Sequence, residues 1–406
     1  MLIKLSIAFL LTPAAALAST AEPVAIYTFT CTGNAELRIG PCPQGGRPGY
    51  LIQGANGTFY GTTQISSEGT SQPNGGAVFS LTPGGTHTIL HTFTAGSGKN
   101  YPDGKSPNLL TEGPDGNLYG TTLFGGQNNA GVLYRVRETG SGFQMIHQFC
   151  TQTNCADGDV PSLMVVGPDG NLYGTTLLGG TGNCPSGCGA IFRVTPSAGT
   201  YEVVFSFNET TSGQYPTGFV VASDGTLYGR SFGYLYHYFP LTGAVQATPL
   251  TFPDRGGLPS LAASGFTIGS NGNLFGLYQI YGLPGLGLFE VDPDGSNLTL
   301  FPRYNTINGG GMPDAMLRAT DGNFWISNYN GSSGYGAIVS LSPQGTVLET
   351  FTPFGTSSSV GAYPAGLLQA MDGTFWGSTF QYGDAPKGSF GDGVVFTLNA
   401  GLPPRD

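Results

Sequence analysis

The sequence is poor in charge and in the side chains that most catalytic centres use. Only 9% of its 406 residues are Asp, Glu, Lys or Arg, and it contains four histidines and two tryptophans. The formal net charge is −10, which disfavours nucleic acid and anionic lipid because phosphate binding relies on Lys and Arg. No stretch beyond the N-terminus keeps a helical period of 3.6 residues, so we expect an all-β chain.

Long apolar runs are also missing, apart from a short one at the N-terminus. Lys4 precedes the apolar segment 5–11, and Ala16 and Ala18 form a small-x-small cleavage signal. This pattern predicts a signal peptide over residues 1–18, and its apolar run is too short to span a bilayer. We therefore expect a protein that is secreted, periplasmic or on the cell surface, with no membrane span after cleavage.

Glycine is abundant, and it belongs to a motif that returns seven times. The stretch Asp115-Gly116-Asn117-Leu118-Tyr119-Gly120-Thr121-Thr122 recurs at 169–176. Weaker copies begin at Asn56, Asp224, Asn271, Asp321 and Asp372, and a proline precedes every copy. The copies start 47 to 59 residues apart, which is close to the size of a four-stranded propeller blade.

The third copy predicts how one repeat forms four strands. Pro161 cannot donate a ladder hydrogen bond, so we place it at the start of a first strand over 163–166. Asp169-Gly170 suits a tight hairpin turn, and a second strand follows over 172–176. The third and fourth strands are predicted at 190–194 and 201–207, where β-forming residues dominate. In the fourth to sixth copies the pattern is weaker, and we place fourth strands near 249–252 and 298–301.

The two chain ends predict a closed ring. Residues 24–29 resemble the fourth strands of other copies, whereas the last copy ends after a third strand at 394–398. Pairing these ends removes the exposed edges that an open sheet must otherwise protect. We predict a seven-bladed β-propeller of four-stranded antiparallel blades, closed by the N-terminal strand 24–29. Residues 19–406 then form a single domain, which we expect to be a monomer.

Six cysteines fall into three close pairs. These are Cys31 with Cys42, Cys150 with Cys155, and Cys184 with Cys188. In an exported chain such pairs predict local disulfides. The alternative is a zinc site at 184–188, but no second Cys or His pair lies nearby in the sequence.

The repeated motif resembles a known family. Asp-Gly-Asn-Leu-Tyr-Gly-Thr-Thr, followed by Gly-Gly and Gly-Val-Leu-Tyr-Arg-Val, resembles the GloVer tandem repeat of exported bacterial proteins with varied surface anchors. The resemblance is clearest at 114–149 and 168–207. It implies a propeller-like exported protein and transfers no catalytic residue. The hairpin spacing is also similar to that of streptogramin-lyase-like propellers. The polar tail 401–406 favours a product without an anchor.

One face of the propeller is the predicted ligand-binding face. Connections from second to third strands, and from fourth strands to the next first strand, are long and emerge together there. All three cysteine pairs lie in them. Tyrosine suits sugars and protein contacts, and the acidic residues favour neutral or cationic ligands. The candidate ligand-binding residues are Tyr101, Asp103, Asn108, Asp159, Tyr215, Asp314 and Tyr363, with Asp157 beside them. We expect no binding at the opposite face, whose Asp-Gly turns are short and uniform.

These observations predict a non-enzymatic propeller that binds a glycan or an extracellular protein. The alternative is a metal-dependent enzyme, either lactonase-like or similar to polysaccharide and streptogramin lyases. Asn108 and Asp314 could contribute to a divalent cation site at the channel mouth, but two oxygen ligands are too few, so we expect no cofactor. None of the four histidines is placed for a catalytic triad. The repeated Tyr or Trp at one mid-strand position is predicted to be core between blades rather than a sugar-stacking ring.

Overall fold

The structure is a ring of seven antiparallel sheets. The computed structural model describes residues 22–32, 42–64, 75–94, 96, 101–250, 266–278, 286–302, 313–330, 334–386 and 389–405. First strands of adjacent sheets contact each other, so they are innermost and the fourth strands lie at the periphery. The prediction of an all-β, seven-bladed propeller is confirmed. The signal peptide predicted at 1–18 lies outside the described residues.

Twenty-nine strands make up the blades in the described part of the chain. They are β1 (Val24–Thr32), β2 (Pro48–Gln53), β3 (Phe59–Thr63), β4 (Ala77–Leu81), β5 (His87–Thr92), β6 (Lys105–Pro107), β7 (Thr111–Glu112), β8 (Asn117–Phe124), β9 (Val132–Arg137), β10 (Gln144–Gln148), β11 (Asp159–Val166), β12 (Leu172–Leu178), β13 (Ala190–Thr195), β14 (Thr200–Ser206), β15 (Val220–Val221), β16 (Leu227–Ser231), β17 (Tyr234–Phe239), β18 (Ala244–Pro249), β19 (Thr267–Ile268), β20 (Leu274–Tyr278), β21 (Gly287–Val291), β22 (Thr299–Leu300), β23 (Pro313–Arg318), β24 (Phe324–Asn328), β25 (Ala337–Leu341), β26 (Val347–Phe351), β27 (Ala362–Gln369), β28 (Phe375–Gln381) and β29 (Ser389–Leu398). A 3₁₀ turn at Thr153–Cys155 is the one helical element of the described residues.

The blades follow the chain in order. Blade 1 is β2–β5, blade 2 is β6–β10 with β6 and β7 as two parts of its first strand, and blades 3 to 6 take four strands each from β11 to β26. Blade 7 has the order β1-β29-β28-β27. The N-terminal strand β1 pairs with β29 from Val24↔Thr397 to Thr32↔Ser389. The predicted closure of the ring by the N-terminal strand is therefore confirmed.

The core lies between neighbouring blades. One such layer joins Tyr119 and Leu133 of blade 2 to Met164 and Phe192 of blade 3, all almost fully buried. Tyr119 lies at the mid-strand position that the sequence repeats, and Tyr173 is equally buried. The repeated aromatics are thus core, as predicted, and their faces are closed to sugars.

Each Asp-Gly turn is held by its own aspartate. Asp115 accepts hydrogen bonds from the Asn117 side-chain amide (2.7 Å) and the Tyr119 hydroxyl (2.8 Å). Gly116 has φ +71°, which suits glycine and strains other residues. The same bonds recur around Asp169. The aspartates therefore stabilise the tight turns that the sequence predicted.

Several predicted boundaries were wrong. β11 begins at Asp159, and Pro161 lies inside it beside an irregularity in register between Pro161 and Met164, where no ladder donor is needed. The fourth strand of blade 4 is Ala244–Pro249 rather than 249–252, because the chain turns tightly at 240–243. His237 lies within β17, the third strand of this blade.

Candidate functional site

The Gly-Thr-Thr part of the motif builds the wall around the channel. The glycine makes room for an aromatic ring of the third strand: a Cβ at Gly174 would lie 2.3 Å from Phe192 Cζ. The first threonine bonds to the next blade, as Thr121 Oγ1 donates to the Ser162 carbonyl at 2.9 Å. Ser378 does the same to the Gly49 carbonyl at 2.7 Å across the ring closure. Adjacent blades are therefore joined close to the channel.

In five repeats the residue before the marker proline lies within the described structure, and there it occupies the rim of the channel mouth. These residues have φ from 54° to 63°, where non-glycine residues are uncommon: they are Arg47, Ser106, Val160, Tyr215 and Tyr363. Their N–H groups donate to the preceding blade, at 3.1 Å from Tyr215 to the Cys188 carbonyl and 2.7 Å from Tyr363 to the Tyr335 carbonyl. These bonds hold an unfavourable backbone conformation, and they present side chains of different chemistry at one rim.

Aromatic side chains concentrate on the rim at blades 6 and 7. The Tyr329 ring stacks on Tyr363 with centroids 4.8 Å apart, and Tyr335 lies 6.1 Å from Tyr363. The ring centroids of Phe380 and Tyr329 are 6.1 Å apart, and those of Tyr382 and Tyr363 are 6.5 Å apart. All five rings are half-buried and lie at the long-loop end of their blades. Burial, followed by the neighbouring tyrosines, raises the pKa of Tyr363, so its hydroxyl stays protonated at neutral pH. We call these five residues the tyrosine cluster.

Two buried polar residues directly precede the tyrosine cluster in the chain. Ser327 and Asn328 replace the two threonines of the motif and are fully buried. Within the described structure, the Ser327 hydroxyl and both polar atoms of the Asn328 amide have no hydrogen-bond partner. Buried groups of this kind are rare in native proteins and call for an explanation. Blade 6 thus departs from the repeat where it meets the tyrosine cluster.

An exposed apolar arc continues the rim on blades 2 to 4. Tyr215 is 45% exposed and Phe232 56% exposed. Leu177 of blade 3 and Phe124 of blade 2 are also exposed, and all four lie at the long-loop end. Of the predicted ligand-binding residues, Tyr215 and Tyr363 are therefore accessible on the predicted face.

Four of the predicted residues, including Asp157, make contacts within the protein. Tyr101 is 2% exposed, and the Lys105 ammonium lies 4.5 Å from its ring centroid. The Asn108 amide donates to Thr121 Oγ1 and to the Pro161 carbonyl, both at 2.9 Å. Asp103 and Asp157 are bound by the residues described next. Tyr101 and Asp157 are almost fully buried, whereas Asp103 and Asn108 are partly exposed and already hold these internal contacts.

A repeated His–Asp–aromatic set joins the outer strands, and sequence reasoning missed it. Asp157 lies 3.2 Å from His147 Nε2 and accepts a hydrogen bond from the Thr151 hydroxyl at 2.7 Å. The His147 ring stacks on Tyr201 of the next blade at 3.8 Å. Burial opposes ionisation of Asp157, but hydrogen bonds from Thr151 and Gln152 outweigh it and lower the pKa.

The same arrangement occurs one blade earlier. Asp103 lies 3.3 Å from His91 Nε2 and accepts from the Thr94 hydroxyl at 2.9 Å, while His91 stacks on Phe143 at 3.6 Å. The signal in the sequence is a His two residues before the last Phe of a fourth strand, followed by Asp-Gly in the next loop. These histidines link blades, and no nucleophile is bound to them among the described residues.

The remaining two candidates are Asp159 and Asp314. Asp159 is half-buried, and burial together with the nearby Asp157 charge raises its pKa despite a hydrogen bond from Val160. Asp314 lies in β23, and its side chain is outside the described part of the structure.

All three predicted disulfides are present. Cys31 bonds Cys42, Cys150 bonds Cys155, and Cys184 bonds Cys188, each at the long-loop end. Among the described residues, one group of three potential metal ligands occurs, Cys31 and Cys42 with Asp392. Its two sulfurs are bonded to each other, so they are not thiolate ligands. The disulfides indicate an oxidising, extracellular environment. No helix of the described residues has the length and apolarity needed to cross a membrane.

The repeats place this chain in a family. Residues 47–247 match the Gloeobacter/Verrucomicrobia repeat. Over these residues the chain belongs to the Gloeobacter/Verrucomicrobia repeat family. The matched region covers blades 1 to 4, and β19–β29 with β1 complete the ring with the same blade architecture. No curated protein matches the sequence.

Solved structures share the fold of this family member. A catalytically inactive virginiamycin B lyase from Staphylococcus aureus with Quinupristin aligns at TM-score 0.56 and 15% identity, covering 88% of this chain and 96% of the lyase. The periplasmic gluconolactonase of Pseudomonas aeruginosa aligns at 0.52 and 17%, covering 75% and 85%. The extracellular domain of a one-component system from B. thetaiotaomicron gives 0.55 and 12%, covering 91% of this chain and 40% of that chain. At these identities the likeness concerns the fold alone.

Proposed function

We propose that this protein is an exported, non-enzymatic propeller that binds a neutral glycan at the tyrosine cluster. The observation that carries the proposal is the concentration of five half-buried aromatic rings at one sector of the rim. Tyrosine combines a flat apolar face with a hydroxyl group, which suits the C–H faces and hydroxyls of sugars. Export is supported by the leader-like segment 1–18 and by the three disulfides.

Charge supports a neutral ligand over an anionic one. The chain has 24 acidic and 14 basic residues, so its overall field repels polyanions. The protonated Tyr363 hydroxyl can donate a hydrogen bond to a sugar oxygen, while the stacked pair of Tyr329 and Tyr363 supplies an apolar wall. Because the rings already pack on one another, little side-chain entropy is lost on binding.

Binding to immobilised neutral and acidic glycans, followed by calorimetry with the best ligand, tests this proposal. Tyr363→Ala should weaken binding by roughly 10-fold or more, as expected for the loss of a buried aromatic contact of about 1.5–3 kcal/mol. Tyr363→Phe keeps the ring and should lose less. The matched control is Met371→Ala, which removes an exposed apolar side chain of the same blade on the opposite face.

Three results would count against the proposal. Equal losses in Tyr363→Ala and Met371→Ala would remove the tyrosine cluster as the site. Binding to secreted proteins without any glycan would favour the protein ligand instead. A stoichiometric divalent cation in the purified protein, measured by elemental analysis, would favour the metal-dependent lactonase or lyase alternative.

A further inference from the structure

On the Asp-Gly face, the last residue of each first strand meets the turn of the preceding blade. Gln369 Oε1 accepts a hydrogen bond from the Thr320 N–H at 2.9 Å. Glu112 accepts from the Ala55 N–H at 3.0 Å, and Gln53 accepts from the Met371 N–H at 2.8 Å. In each case the N–H belongs to the residue directly before the Asp or Asn of the turn. A side-chain acceptor on one blade therefore satisfies a backbone donor on its neighbour.

The same position is apolar where the donor is missing. In blades 2 and 3 the residue before the aspartate is Pro114 or Pro168, which has no N–H. The residues at the matching position of the following blades are Val166 and Val221. At the joint of blades 4 and 5, Ile268 takes this position beside Ser223, so this joint has an N–H but neither an acceptor nor a charge. At five of the seven joints, therefore, this side chain is an acceptor where the turn offers an N–H and is apolar where a proline removes that N–H.

The joint of blades 5 and 6 reverses the pattern. Arg318 takes the position of Gln369, and the residue before the turn Asn is Ser270. Arginine has donors and no acceptor. Across the described residues, neither the Arg318 guanidinium nor the Ser270 N–H makes a hydrogen bond or ion pair. Two donors therefore lie at this joint, where three other joints place a donor and an oxygen.

A cavity opens at this joint. It has a volume of about 400 Å³ and is lined by Arg318, Ser270, Glu290 and the rings of Phe275, Phe301 and Phe324. Phe275 replaces the usual tyrosine, so no hydroxyl bonds to the turn, and its ring lies 4.7 Å from that of Phe324. Glu290 Oε1 is bound by the side-chain amides of Asn271 (2.6 Å) and Asn273 (2.8 Å). The cavity is open to solvent: Arg318 and Ser270 are exposed, Phe301 is half-buried, and Phe275 and Phe324 are almost fully buried behind it.

We propose that this cavity binds a small monocarboxylate with an apolar body. The carboxylate accepts hydrogen bonds from the Arg318 guanidinium and the Ser270 N–H, taking the place that the Gln369 oxygen has at the next joint. Charge-assisted bonds from arginine to a carboxylate are among the stronger hydrogen bonds, and the body packs on Phe301, the half-buried ring of the cavity. Glu290 restricts the ligand to a single negative charge through repulsion. This site lies on the face for which the sequence predicted no binding, and it is independent of the tyrosine cluster.

Calorimetry or ligand-observed NMR with 3-phenylpropionate tests the inference on the purified protein. The neutral analogue 3-phenylpropanol has the same body and should bind at least about 10-fold more weakly, the factor of one charge-assisted hydrogen bond. Arg318→Gln should reduce 3-phenylpropionate binding by at least the same factor. It should also raise the unfolding midpoint, because Gln can accept from Ser270 as Gln369 does from Thr320.

Arg137→Gln is the matched control. Arg137 is an exposed arginine on the same face of blade 2, so its replacement changes the net charge equally and should leave binding unchanged. The inference is overturned by no binding at millimolar 3-phenylpropionate, by equal binding of the alcohol, or by equal losses in the two arginine variants. Tyr363→Ala should leave 3-phenylpropionate binding unchanged, which separates this site from the proposed glycan site.

Discussion

The glycine of the Gly-Thr-Thr motif should be energetically coupled to the aromatic residue opposite it. Gly174 pairs with Phe192 across β12 and β13, and Phe192 is fully buried. A Cβ at Gly174 would meet Phe192 Cζ at 2.3 Å and Met164 Cγ at 2.9 Å. Blade 6 has the opposite combination, with Ile326 paired to Val339 and both fully buried. The chain itself therefore shows that a larger residue on β24 is accommodated by a smaller one on β25.

A double-mutant cycle gives this coupling a magnitude. Gly174→Ala should destabilise by about 1–3 kcal/mol through overpacking. Phe192→Val should cost about 2–4 kcal/mol through lost contacts and a cavity. In the double variant the new methyl group occupies space that the ring has left, so the combined loss should be smaller than the sum by at least about 1 kcal/mol.

Urea unfolding of the four proteins, followed by circular dichroism, measures the cycle. Gly170→Ala provides the control, because Gly170 has an unusual backbone with φ +75° but has no atom within 4 Å of the added Cβ. Its cost arises from the backbone alone, so it should add to that of Phe192→Val. Additivity of Gly174→Ala with Phe192→Val would refute the ring-over-glycine explanation.

Two further predictions concern ring closure and pH. Deleting residues 24–30 should lower the melting temperature severely, because β29 loses its partner and the ring opens; a melting temperature within a degree or two of the parent would contradict this. Stability should be greatest above pH 6.5 and fall towards about pH 4, because burial lowers the pKa of His87 to about 4 and also lowers that of His147. Their protonation then favours the unfolded chain, and Asp157, whose folded pKa is lowered, adds a further loss under more acidic conditions. Urea midpoints at several pH values measure the slope, which His87→Phe should reduce; a flat profile would disprove the assignment.

Local sequence signals predicted the features that depend on neighbouring residues. The turn at Asp115-Gly116 and the disulfide between Cys150 and Cys155 join residues within a few positions of each other, so spacing is sufficient. Ring closure was predicted because the missing strand of the last repeat resembled 24–29. Strand limits were weakest in blade 4, where alternation is obscured by Tyr234–Phe239 being buried along most of its length.

Contacts between blades could not be predicted from the sequence. Asp103 was predicted to bind a ligand because the sequence places it in a long loop. Its hydrogen bond with Thr94 and its proximity to His91 depend on how that loop folds back on β5. Tyr363 was predicted as a single rim residue. Its three aromatic neighbours come from both sides of a blade boundary, and periodicity along one repeat does not show which side chains meet across it.

Some departures from the repeat are compensated by a neighbouring residue and others are not. The compensated ones are changes in packing, whereas the uncompensated ones point to contact with an outside partner. Ile326 departs from the usual glycine, but Val339 compensates for it within the same blade. Trp376 replaces a tyrosine, and its indole N–H donates a hydrogen bond to Thr374 Oγ1 at 3.1 Å. No described residue compensates in the same way for Arg318 and Ser270, or for the buried amide of Asn328. Sequences that fold well agree at every level except where function demands otherwise. Blade 6 has such uncompensated departures at both of its ends, and it is therefore where both faces of the ring are expected to meet their ligands.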